Sequence, residues 1–174
     1  MAAIQISESS VEPVTTAEVK LWAKIEHDDE DAVISSLITS SRIELERYLK
    51  RALITQVWRE FYDQIQQPIY SPIVPLTALS VAVEDDAGNY IETETVVKFD
   101  QSTGRVRVSE AVGRGALDSV QVTYTSTVTG LKGNLRAALL ELVSYRFYNR
   151  GNIVSSAIPA TVQAMVGHMR VVSI

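Results

Sequence analysis

Apolar residues recur at helical spacing from Ile34 onward: Ile34, Ile38, Ser41, Leu45, Tyr48 and Ala52 follow one another at steps of four, three, four, three and four. Leu37 and Leu49 lie beside this stripe. The period draws one apolar face on an α-helix. Arg42, Glu44, Glu46, Arg47 and Lys50 fall on the opposite face, which water is expected to solvate. The predicted helix covers 29–52, with Asp28 as its cap and Asp31 three residues further on. Upstream, Thr15 and Glu18 have the spacing of a capping box, so a short helix is predicted over 16–24 with Val19, Trp22 and Ala23 facing inward. Two helices so closely joined form an αα-hairpin. The period returns at Leu135, Ala138, Leu139, Leu142, Val143 and Phe147, predicting a helix over 134–149 with Asn134 at its N-cap and Gly151 past its end. Pro159 suits the first position of a short last helix.

Between these helices the period drops to two. Residues 55–128 read as antiparallel strands: 55–65, 76–84 and 90–94 around the turn Asp85–Asn89, then 96–99 and 105–109 around Asp100–Gly104, and last 119–128 with Val120, Val122 and Tyr124 on one side. Pro68, Pro72 and Pro75 mark an edge or loop. Ala111–Asp118 reads as an exposed loop. Helices, then strands, then helices make an α+β fold: an N-terminal αα-hairpin with a long second helix, central antiparallel β-hairpins, C-terminal helices and an extended tail. Residues 1–13 are small, polar and aperiodic, and are expected to form a flexible arm.

The 174 residues suit one domain, and their net charge is −5. That balance argues against wrapping nucleic acid through its phosphates. A helix-turn-helix reading of the first two helices ranks last, because the acidic turn between them would repel phosphates. No apolar run approaches the roughly 18 residues a membrane span requires, and the N-terminus lacks the pattern of a secretory signal. Without cysteine there is neither a disulfide nor a thiolate metal site, and a cytosolic protein is the simplest account.

Candidate chemistry is sparse. Five of the six residues from Glu26 to Asp31 are acidic, which raises a divalent-cation site and a metal-dependent enzyme as an alternative. Adjacent carboxylates diverge, however, and calcium-loop spacing is missing, so the run reads better as acid at a helix N-terminus. His27 and His168 have no nucleophile motif around them. Gly113-Arg114-Gly115 lacks the third glycine and following helix of a phosphate loop. No catalytic residue, cofactor or metal ligand is assigned, and the chain is read as no enzyme.

Contact surfaces are better marked. Tyr145, Arg146, Tyr148, Asn149 and Arg150 cluster around Phe147, readable either as the border of a core or as a protein–protein contact. Met165, Met169, Arg170, Val171, Val172 and Ile174 make an apolar tail, which either folds back or docks on a partner; docking is the preferred reading.

Several of these segments, in order, resemble the tailed-phage head–tail connector, or head-completion adaptor, family. They are Val14-Thr15-Thr16-Ala17-Glu18-Val19-Lys20-Leu21; His27-Asp28-Asp29-Glu30-Asp31 with the following helix and Arg51-Ala52-Leu53-Ile54-Thr55-Gln56; the strand pair ending Gly104-Arg105-Val106; and Leu139-Leu140-Glu141-Leu142-Val143 through Tyr148-Asn149-Arg150, with Pro159 beyond. The likeness spans roughly 14–170. It implies a connector domain over 14–158 and a C-terminal docking segment over 159–174. It also implies a structural subunit of the virion neck, assembled in the host cytoplasm into a ring, commonly of twelve copies, under the portal. Such a ring extends the DNA channel, lets DNA pass without specific binding, and offers a platform to the next neck or tail-completion protein. Another neck or tail-completion role is the nearest alternative. The family often has a proline before the last long helix, where this chain has Gly133-Asn134. Asp85, Asp86, Gly88 and Asn89, and Gly113, Arg114 and Gly115, are the loops expected to project from the ring. Arg136, Arg146 and Arg150 are expected to pair with acids of a neighbouring copy.

Overall fold

The computed structural model describes residues 3–65, 68–93, 97–108, 111–113, 115–116, 118–151 and 158–171. The expectations placed on Arg114, Val172, Ile174, Val96 and the linker 152–157 lie outside these residues. The fold is α+β, and the chain divides into two compact units. Of the described residues, one holds those up to Ser9 and from Ile54 to Thr129; the other holds Ser10–Leu53 and those from Gly130 to 171. Two units appear where one domain was predicted because the helical core draws on both sides of the β region, leaving the strands to build a core of their own.

In the helical unit, α1 (Thr16–Ala23) begins with the predicted capping box: Thr15 Oγ1 accepts from the Glu18 N–H, and the Glu18 carboxylate accepts from the Thr15 N–H. Helix α2 runs Asp31–Leu49, shorter at both ends than predicted. Its N-cap is Glu30, with no side-chain cap bond, because the carboxylates of Asp28 and Asp31 turn to Lys20 instead. It stops where Lys50 enters the left-handed region at φ 52°. Helix α3 spans Gly133–Tyr148; Lys132, not Asn134, is its N-cap, and no side chain caps it. Helix α4 is Ala160–Val166, with Pro159 at the N-cap and not inside the first turn, followed by a 3₁₀ turn at Gly167–Met169. Val19, Ile34, Ile38, Leu45, Leu49, Leu139, Val143, Val162 and Val166 form the centre of this core.

Two expectations about faces fail here. Trp22 is 48% exposed; α1 buries Val19, and the tryptophan lies on the flank of that face turned to solvent. Arg42 is 1% exposed where solvation was expected. Its Nε donates to Glu12 at 2.9 Å and its Nη1 to Glu46 at 3.0 Å, while Glu46 also accepts the Leu53 N–H at 2.8 Å. The guanidinium thus fastens the segment before α1 and the residues after α2 to the middle of α2.

The β unit contains a five-stranded antiparallel sheet in the order β1-β2-β8-β4-β5: Ile4–Glu8, Gln56–Tyr62, Val120–Ser126, Ala78–Glu84 and Tyr90–Glu92. A second sheet has the order β3-β7-β6: Ile69–Tyr70, Arg105–Val108 and Val97–Phe99. Within the segment read as a flexible arm, β1 pairs with β2, from Ile4 opposite Arg59 to Glu8 opposite Gln56, with a bulge between Gln5 and Ser7. Its short Ile4–Ile6 alternation gives too little period to detect beforehand, and the strand is held by backbone pairing. Leu76, Val81, Val106, Val120, Val122 and Tyr124 fill the core between strands. Burial pushes the Tyr124 and Tyr62 hydroxyls well above the ordinary tyrosine range, and the two hydroxyls meet at 3.1 Å.

Gly113 is packed, not free in an exposed loop. At φ +100° it lies so close to its neighbours that an added Cβ would meet Val120 Cγ2 at 2.4 Å and the Asp63 carbonyl oxygen at 2.8 Å. Gly113→Ala combines backbone strain of about 1–3 kcal/mol with overpacking of about 1–3 kcal/mol. It is expected to lower stability by about 2–6 kcal/mol in urea unfolding. Gly115→Ala, at φ +76° with nothing within 4 Å, is expected to show only the strain.

Candidate interaction surface

The acidic turn is held by cations of the same unit. Lys20 Nζ bonds Asp28 and reaches Asp31 at 2.9 Å, and the bond from Lys20 depresses the Asp28 carboxyl below its ordinary range. Glu30 takes Arg150 at 2.5 Å and lies 3.9 Å from His27. His168 is exposed on the 3₁₀ turn. Among the described residues no group of His, Asp and Glu has the arrangement of a metal site.

Arg136 and Arg146 of α3, and Arg150 just past its end, also find acids within their own chain. Arg136 pairs with Glu18, Arg146 with Glu44, and Arg150 with Glu30. Arg150 in addition lies over the Phe147 ring at 4.7 Å, and Asn149 Nδ2 donates to the Tyr145 carbonyl. The first two pairs tie α3 to α1 and α2, and the third ties the residues just past α3 to the turn between them. The tail as far as Val171 folds back too. Met165 and Met169 pack on the helical core, Arg170 lies over the Tyr48 ring at 5.3 Å, and the Val171 N–H donates to the Leu49 carbonyl at 3.0 Å.

What stays open is an aromatic surface made by α1 and α3. Glu141, Tyr145 and Tyr148 stand four and three residues apart, so they share one face of α3. Trp22 Nε1 donates to Glu141 at 3.2 Å, and the Tyr148 hydroxyl donates to the Ala23 carbonyl, joining both ends of that face to α1. Leu21 next to Trp22 is 84% exposed and Tyr148 63%. Leu21, Trp22, Tyr145 and Tyr148 are thus large exposed side chains on two joined helices, with the polar ends of Trp22 and Tyr148 already engaged. Exposed large apolar and aromatic side chains gathered in this way mark contact sites. Tyr145 and Tyr148 are legible beforehand; Trp22 is not, because in an eight-residue helix the i+3 and i+4 flanks of Val19 look equivalent, and Leu21, at i+2, falls outside the inward face without any signal of contact.

Of the loops expected to project, Asp85–Asn89 closes on itself. Asp85 Oδ1 accepts the N–H groups of Ala87 and Asn89, each at 2.8 Å, and these backbone bonds hold its carboxyl below the usual range. Asp86, Gly88 and Asn89 are exposed, as is Gly115, whereas Gly113 is wedged against Asp63 and Val120.

A family model for phage gp6-like head-tail connector proteins matches residues 14–110. No curated protein matches the chain. Among solved structures, it is similar to a chain from the neck of an empty gene transfer agent particle computed with C6 symmetry (TM-score 0.80, 18% identity, 100% of this chain and 97% of that one covered). A chain in the virion of the native gene transfer agent particle matches at TM-score 0.78 and 19% identity, with the same coverage. One from the neck of the native particle, computed with C12 symmetry, matches at 0.76 and 19%, again with the same coverage. At such identities the likeness establishes a shared fold along the whole chain.

Proposed function

We infer that this chain, which belongs to the phage gp6-like head-tail connector family, is a structural subunit of the virion neck whose copies form a ring. The carrying observation is the family match over 14–110, which takes in the capping box, the acidic turn, α2 and the strands as far as β7. The whole-chain fold likeness to neck chains from particles of six- and twelvefold symmetry supports a ring. The ring sits under the portal, receives the next neck or tail-completion protein, and is assembled in the host cytoplasm. Its task is mechanical and electrostatic, not catalytic. Twelve copies at −5 each would carry roughly −60, and like-charge repulsion keeps passing DNA mobile in the channel.

To the surface of Leu21, Trp22, Tyr145 and Tyr148 we assign the contact with the neighbouring copy, and to the chain end at 172–174 the contact with the portal. Two interface anchors at about 2 kcal/mol each correspond to roughly a thousandfold in affinity per contact. The double variant Leu21→Ser/Trp22→Ser is therefore expected to keep the parental circular dichroism spectrum yet be missing from purified particles. Incorporation at the parental level would contradict the assignment.

A further inference from the structure

The three-stranded sheet has a second face that the connector role leaves unused. Alternation along its strands sorts residues by side. Val106 is fully buried, and Ile69, Phe99 and Val108 pack with it against the β-unit core. The other side carries Arg105 and Arg107 on β7, Lys98 directly opposite Arg107 on β6, and Tyr70 directly opposite Arg105 on β3. Lys98, Arg105 and Arg107, with Phe99 and Asp100, line a surface hollow of about 230 Å³.

Like charges directly opposite each other destabilise a sheet unless something of opposite sign meets them. Among the described residues none of the three cations has an ion-pair partner, and Arg105 Nε is buried without a hydrogen bond. The one carboxylate lining the hollow, Asp100, faces its own turn, accepting from Ser102 N at 2.8 Å, Ser102 Oγ at 2.6 Å and Thr103 N at 3.3 Å. In a chain of net charge −5, this is a local reversal of sign with unspent donors.

We propose that this face binds the sugar-phosphate backbone of duplex DNA without reading its bases. Arg105 and Arg107 stand two residues apart on one strand, roughly 6.6 Å along it. Such a row suits a linear polyanion better than a single carboxylate. Arginine forks match phosphate oxygens, and a tyrosine hydroxyl is a further phosphate donor. No helix or ribbon is presented here to enter a groove, so the contact carries no sequence information. Local contact and overall repulsion together give a surface that touches DNA weakly and releases it. The proposal rests on the connector reading for where DNA is met, but the binding itself is a property of the free chain.

The test is fluorescence anisotropy of the full chain with a labelled duplex of about 20 base pairs, titrated at several salt concentrations between about 50 and 200 mM. Three phosphate contacts predict a log–log salt slope of about −2.7, and Arg107→Gln is expected to make it shallower by about 0.9. Arg107→Glu is expected to weaken binding about tenfold, whereas Lys132→Glu, the same charge change at an exposed residue of the helical unit, is expected to change it less than about twofold. Equal losses in the two reversals, or a slope near zero, would overturn the proposal. So would an Arg107→Glu variant that loses self-association while keeping its DNA affinity, since the face would then belong to a protein contact. None of those results touches the connector reading, which is tested on particles.

Discussion

Replacing Arg42 by methionine is expected to destabilise the chain by about 3–5 kcal/mol, the cost typical of removing one member of a buried ionic network. Arg42 is 1% exposed and stands between Glu12 and Glu46, whose carboxylates it neutralises at 2.9 and 3.0 Å. Methionine fills much of the same volume, so packing changes little. Glu12 and Glu46 instead lose the guanidinium that bridges them, while Glu46 keeps its bond from the Leu53 N–H. Against a total stability of about 5–15 kcal/mol that is a large fraction. The triple variant Glu12→Gln/Arg42→Met/Glu46→Gln should recover most of the loss. The stranded charges go with the arginine, and the amide oxygen introduced at position 46 still accepts from the Leu53 N–H. Urea unfolding followed at 222 nm measures both. A loss below about 1 kcal/mol in Arg42→Met would show that water reaches the site and solvates the acids.

Removing residues 160–174 is expected to unfold the helical unit. An apolar tail read as a docking arm should be dispensable to the fold, but α4 is part of the core. Val162 and Val166 are fully buried, and Met165 and Met169 pack beside them. Burial of the two valines alone is worth about 3–6 kcal/mol, before the loss of the Val171–Leu49 backbone bond is added. Removing only 172–174 spares every one of these contacts and is expected to weaken attachment to the portal. If the longer truncation unfolds at the parental midpoint, α4 is an appendage and no part of the helical core.

Much of the fold is legible in the residues, and the misses share a cause. Helices α1 and α3, the Val120–Val122–Tyr124 face and the β6–β7 hairpin follow from period and turn chemistry, because long, regular repeats leave few alternatives. Arg42 is misplaced by its residue type although the period includes it: Ile34, Ile38, Arg42, Leu45 and Leu49 are spaced four, four, three and four, and all five are buried. Of the acids that make its burial tolerable, Glu46 is a local i,i+4 neighbour, but Glu12 lies thirty residues upstream, beyond the reach of a local pattern. The same holds for the caps. Asp28 has the chemistry of an N-cap, yet a lysine eight residues before it takes the carboxylate. The division into two units follows from contacts between segments far apart in sequence, which no local pattern records. The aromatic surface is half visible, as Tyr145 and Tyr148; its other half depends on which flank of α1 meets the core.

The central claim, that this chain joins heads to tails, is tested most directly by electron microscopy of particles produced without it. Filled heads and separate tails are expected, with joined particles restored when the chain is supplied. Particles that join normally in its absence would contradict the claim.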